Sequence, residues 1–178
     1  MIPPTIWIGL CGVLAWIVIV THAACAPSRR LWPPRHRPGP LTLMWSWGFT
    51  ILIYVGVIQT GLIEGNRLKL PDVIRWGLGG GMALMGSALQ SWGVAALGLS
   101  ATAGFARDGS YPPTPISIGP YRYMRHPQYV GQAVSLVGLA LASGGLWVWG
   151  LTVAALLAFI AVARLESLHL RTTHASTS

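Results

Sequence analysis

The sequence predicts an all-α, polytopic membrane protein of about five transmembrane helices, the last two folded as a helical hairpin. Three observations lead there. Hydrophobic residues make up 53% of the 178-residue chain and charged residues only 9%, where an ordinary globular domain is about 25% charged. Long uncharged runs recur, separated by short segments that hold the arginines and many of the prolines. No run shows the alternating pattern of a membrane barrel.

The first run, 5–26, carries no charged residue apart from His22. At about 1.5 Å per residue it reaches across a hydrocarbon core of about 30 Å. Its Cys11 and Cys25 make neither a disulfide framework nor a metal cluster. His22 stands where a lipoprotein cleavage site would have an aliphatic residue, so this helix is expected to stay uncleaved. Segment 28–40 follows, with Arg29, Arg30, Arg35 and Arg37 among four prolines that forbid regular helix. It is expected to lie at the membrane interface.

The second run, 41–63, opens with Trp45 and Trp47, which suit the headgroup belt. The loop 64–72 is nearly charge-balanced through Glu64, Arg67, Lys69 and Asp72. The third run, 73–99, contains Gly77, Gly79, Gly80, Gly81 and Gly86 but lacks the lysine of a phosphate loop. Gly77 and Gly81 form a small-xxx-small pair at which a neighbouring helix is expected to approach closely. Segment 100–118 turns polar and proline-rich, with Arg107, Asp108 and Tyr111, and reads as a cover over a site. Residues 128–163 then hold no charge. One helix of that length would be about 54 Å long, too much for a single crossing. Ser143-Gly144-Gly145 breaks it into spans 128–143 and 146–163.

These spans make one membrane-embedded domain, 1–178. The net charge of +8 is dispersed among short loops and forms no basic face for nucleic acid. The arginines of 29–37, of 107–125 and of the tail (Arg164, Arg171) fall on one side of a five-span chain. The positive-inside rule makes that side cytoplasmic, with the amino terminus outside and the carboxyl terminus inside.

Polar chemistry concentrates in thirteen residues, Gly119-Pro120-Tyr121-Arg122-Tyr123-Met124-Arg125-His126-Pro127-Gln128-Tyr129-Val130-Gly131. Taken singly, the arginines are ordinary interfacial charges and the tyrosines ordinary belt aromatics. Together they exceed what an anchor requires. Pro127 suits the first position of a helix, which sets the positive end of a helix dipole beside Arg125 and His126, a good place for a carboxylate. The hairpin returns Glu166 to the same place. Near the end of its helix a carboxylate is unfavourable, so Glu166 calls for a local partner, either an arginine or a cationic or hydroxyl-bearing ligand.

The thirteen residues resemble the signature of the isoprenylcysteine carboxyl methyltransferase and phospholipid methyltransferase superfamily of integral membrane enzymes. That pattern runs Gly-Pro-Tyr-x-x-x-Arg-His-Pro-x-Tyr-x-Gly, then an apolar hairpin, then an arginine and paired glutamates. Every fixed position from Gly119 to Gly131 is present, and Arg164, Glu166 and Leu170 match the second block. Ser167 stands where the family usually has its second glutamate, and the aromatic tail that often follows is missing.

The resemblance implies S-adenosylmethionine as methyl donor, a lipid-like or small apolar acceptor, and membrane lipids as surroundings. It implies Arg125 and Glu166 at the chemistry, with Tyr121, Arg125, His126, Pro127, Tyr129, Gly131 and Glu166 around the cofactor. It implies no metal. The cofactor region would then be 100–131 together with 164–170. Two other classes use the same residues: a non-catalytic module of the same fold, motivated by Ser167 and the short tail, and an NADPH enzyme like the membrane sterol reductases. Turnover excludes the first, and competition by NADPH distinguishes the second.

Overall fold

The computed structural model describes residues 2–26, Trp32, 40–98 and 117–175, with side chains to Leu168 in the last helix. These residues form five α-helices and, among them, no strand: α1 (Ile6–Cys25), α2 (Pro40–Glu64), α3 (Gly80–Leu97), α4 (Pro127–Ser143) and α5 (Leu146–Ala175). A π-helical turn, Val73–Gly79, leads into α3, and a 3-10 turn, Gly119–Arg122, precedes α4. The expected span 73–99 thus starts with a wider helical turn than a plain α-helix. There Arg75 Nε donates to the carbonyl of Ala142 at 3.0 Å, tying this turn to the end of α4.

Helix α5 packs its buried Val148, Leu151, Ala155, Phe159 and Val162 with Val13, Trp16 and Ile19 of α1 and Ile53 and Val57 of α2. The outer faces are apolar too: Leu62, Val73 and Leu84 are 75–82% exposed. Helices apolar both inside and outside are what a lipid environment selects, because they satisfy their own backbone groups. By length and composition, three helical segments suffice to cross a membrane: Ile6–Cys25, Met44–Glu64 and Leu146–Leu168.

Two expectations are corrected. Gly77 and Gly81 are not where helices meet, for a Cβ at either would find open space. The close crossing of the π-helical turn and α3 on α4 uses the opposite face, through Gly79 and Gly86 against Gly131 and Gly138. A Cβ on Gly131 would lie 2.6 Å from the Gln90 backbone nitrogen, and one on Gly86 would collide with the Ser135 backbone. The seven-residue spacing of these glycines keeps them on one helical face, whereas Gly77 and Gly81 lie nearly half a turn away. Second, Glu166 is not near the end of its helix, because α5 runs past the expected span 146–163 and continues to Ala175. Residues 164–175 contain neither glycine nor proline to stop it. Glu166 and Ser167 are therefore helical residues.

The hairpin turns at Gly144, whose φ of +64° is a left-handed conformation that glycine adopts without strain. Glu64 at the end of α2 reaches this turn. Its carboxylate accepts the backbone N–H groups of Leu146 and Trp147, at 2.9 Å each. A carboxylate at that helix start is doubly favoured, by the orphan N–H groups and by the dipole. Thr5 and Thr60 hydroxyls meet at 3.1 Å toward the same end of the bundle.

Candidate active site

At the other end, the glycine-proline-tyrosine segment is shaped by its backbone. Gly119 has a φ of +56° and sits so close to α3 that a Cβ would lie 2.9 Å from that of Ala96. Pro120 is buried, and its carbonyl accepts the N–H groups of Tyr123 and Met124. Pro127 is the buried first residue of α4, with His126 at the N-cap and, among the described residues, no side-chain cap. Proline is preorganised for that position and forfeits no helical bond there.

This geometry aims His126 and Tyr129 at α5. Tyr129 donates its hydroxyl to Glu166 Oε1 at 2.7 Å. His126 places Nδ1 3.7 Å from Glu166 Oε2, and its Nε2 lies 2.8 Å from Ser167 Oγ. The His126 and Tyr129 rings are 5.8 Å apart, and Tyr129 in turn packs on Phe159 at 6.1 Å. Trp32, from the segment between α1 and α2, donates its indole N–H to the same Glu166 Oε1 at 2.8 Å. Oε1 thus holds two donors, while Oε2 faces the imidazole at a distance too long for a hydrogen bond.

The electrostatics follow from burial. His126 and Glu166 side chains are only 23% and 20% exposed. Burial, followed by the positive charge of neighbouring Arg125, pulls the His126 pKa below the usual imidazole value. The ring is accordingly neutral at physiological pH. Nε2 and the Ser167 hydroxyl share a hydrogen bond whose direction is set by the ring tautomer. Tyr121 is pushed up to about 12, chiefly by burial, and is a neutral hydrogen-bonding group there. Its hydroxyl pairs with Gln128, and the Glu166 charge also acts on it.

Of the residues singled out from sequence, His126, Tyr129 and Glu166 come together directly, and Tyr121 sits within electrostatic reach. Arg125 adjoins His126 but is exposed. Pro127 shapes the helix start and packs toward α3. Gly131 lies against α3, so its missing side chain is explained by helix packing. Among the described residues, no arginine pairs with Glu166; its partners are Tyr129, Trp32 and the His126 ring. The segment 100–116 expected to cover the site, and the side chain of Leu170, lie outside the described residues.

Two residues escaped the sequence reading. Ser167, a departure from the expected glutamate pair, is the hydrogen-bond partner of His126. Trp32 was one of nine tryptophans in a chain where belt aromatics are common. The only signal for it was its place in a basic segment assigned to the same side as the thirteen residues.

Fold and site together define a polytopic helical membrane protein with a sheltered carboxylate, imidazole and phenol gathered at one end of its bundle. A family model described as phospholipid methyltransferase matches residues 74–177, over half of the chain, and the protein belongs to that family. No curated protein and no solved structure matches it. Membership supports a membrane methyltransferase with a lipid-like substrate. The match spans α3, α4 and α5 and leaves out α1, Trp32 and α2.

Proposed function

We propose that the protein transfers a methyl group from S-adenosylmethionine to a lipid-like acceptor that enters from the bilayer, at a site on the cytoplasmic membrane face. The observation that carries this reading is the Glu166 carboxylate, sheltered beside His126 and Tyr129 at the uncapped start of α4. The donor set fits the cofactor in two respects. The free N–H groups of the helix start, next to Arg125, suit a methionyl carboxylate. Glu166 Oε2, which has no hydrogen bond from the described residues, suits an ammonium or ribose hydroxyl.

When bound, S-adenosylmethionine supplies a sulfonium-activated methyl carbon: the acceptor lone pair forms the new bond while the broken carbon–sulfur pair returns to sulfur. The chain's residues then have three tasks. Glu166, His126 and the α4 start hold the donor in line with the acceptor, which is worth more than any acid or base group in such a reaction. Tyr129, Phe159 and Trp32 exclude water from the carboxylate. Tyr121 and neutral His126 offer uncharged hydrogen bonds and place no competing cation beside the sulfonium.

Calorimetric titration of S-adenosylmethionine into the detergent-purified chain tests the reading. Saturable binding is expected, with loss of at least about tenfold in affinity for Glu166→Ala and for His126→Ala, the size of a hydrogen bond to a charged group. Binding unchanged in both variants would move the donor site elsewhere.

A further inference from the structure

The family match begins at residue 74, yet the site is completed by a residue far upstream of it. Trp32 is 4% exposed and donates to Glu166 Oε1 across 134 residues of sequence. Its ring is held edge-on by Trp16 of α1, at 5.9 Å, and by Trp45 of α2, at 6.0 Å. Such edge contacts fix an indole in both position and tilt. Packing alone does not demand a partner for its N–H: the neighbouring Trp16 indole nitrogen is equally buried and has none among the described residues.

We infer that Trp32 is a positioning residue of the methyl-donor site, a role that rests on the donor reading above. Its N–H and the Tyr129 hydroxyl both bind Oε1 and so fix the rotation of the Glu166 carboxylate. Oε2 is thereby left as the oxygen presented to the donor's ammonium or hydroxyl. A carboxylate held by one donor can turn about its terminal torsion, which is broad. Two donors from different elements remove that freedom before the ligand arrives, and preorganisation of this kind is gained in affinity. The amino-terminal helices consequently act as the wall that aims the site's carboxylate, in addition to crossing the membrane.

The test compares the full-length parent with Trp32→Phe and Trp32→Ala in S-adenosylmethionine titrations, thermal unfolding and spectra of nitrogen-labelled tryptophan. Phenylalanine retains an aromatic ring but cannot donate. The expected result is that Trp32→Phe weakens donor binding about tenfold while melting within about a degree or two of the parent, the change expected of a minor packing loss. The indole signal lost in that variant should also shift in Glu166→Gln. If the parent binds and Trp32→Phe binds equally well, Trp32 only packs and the inference is wrong. It is equally wrong if affinity falls only together with stability while Glu166→Gln leaves the Trp32 signal in place. A parent that binds no S-adenosylmethionine overturns the donor reading, and the positioning role with it. That failure is distinct because it is seen in the unmodified chain.

Discussion

Ser167 stands where the resemblance led to the expectation of a second glutamate; its side chain is shorter and uncharged, and the consequence is local. A second carboxylate beside Glu166 would add like charge to a sheltered site. The serine instead supplies a hydroxyl, 2.8 Å from His126 Nε2, and keeps the ring in one orientation. The same imidazole gives the molecule a pH dependence. Burial and Arg125 set its folded pKa below the unfolded value of about 6.5. A group with a depressed folded pKa contributes stability that is present above its unfolded pKa and lost as pH falls through the folded one. Among the described residues, the groups facing it are Arg125, Tyr129, Glu166 and Ser167. The parent should therefore lose thermal stability on acidification below about pH 6.5. His126→Gln, which cannot titrate, should lack that component, so the difference between the two melting curves should narrow toward acid. A constant difference across that range would mean that His126 titrates alike in both states.

At the scale of helices, glycine position decides which faces meet. Gly131 and Gly86 bring the α3 and α4 backbones together, and no conformer of an added methyl escapes the opposing main chain. Gly131→Ala and Gly86→Ala should each destabilise by about 1–3 kcal/mol or more, the range for overpacking a close contact. Gly77→Ala and Gly81→Ala meet nothing and replace a poor helix former, so each should be neutral or stabilising by up to about 1 kcal/mol. Thermal unfolding in detergent compares the four. Similar losses in all of them would mean that the crossing face is wrongly assigned. The sequence displayed all of these glycines, but five lie close together from 77 to 86 and a small-xxx-small pair was the simplest choice. The partner stripe on α4 selects Gly79 and Gly86 instead, and that choice exists only once two helices are packed. Helix α5 shows the converse. The sequence reading placed Glu166 in this helix but near its end, since bilayer thickness sets the length of the span and not how far the helix continues beyond it.

Across the whole molecule, the two ends of the bundle differ in chemistry. One end is clasped by Glu64 on the start of α5 and by the meeting of Thr5 with Thr60, and it holds both acidic and basic residues of the 64–75 region. The other gathers Trp32, His126, Glu166 and Ser167, with exposed Arg122, Arg125 and Arg164 nearby in sequence. We propose, on the positive-inside rule, that the site end faces the cytoplasm. Reporter fusions should then place the amino terminus outside and the carboxyl terminus inside. Both termini in one compartment would contradict an odd number of crossings.

The sequence alone determined the class of fold and named most of the residues that gather at the candidate site. Hydrophobic run length is a direct consequence of bilayer thickness, and thirteen consecutive residues carry their own local geometry through proline and glycine. Contacts between distant segments were beyond its reach, because they depend on which faces of the helices pack. Tertiary structure decided that, among the described residues, Glu166 answers to Tyr129 and Trp32 and not to an arginine, and that Ser167 serves His126. It also decided that Gly131 packs against a helix. A side chain's type limits what it can bind, but its partner is fixed by packing that brings together residues far apart in the chain.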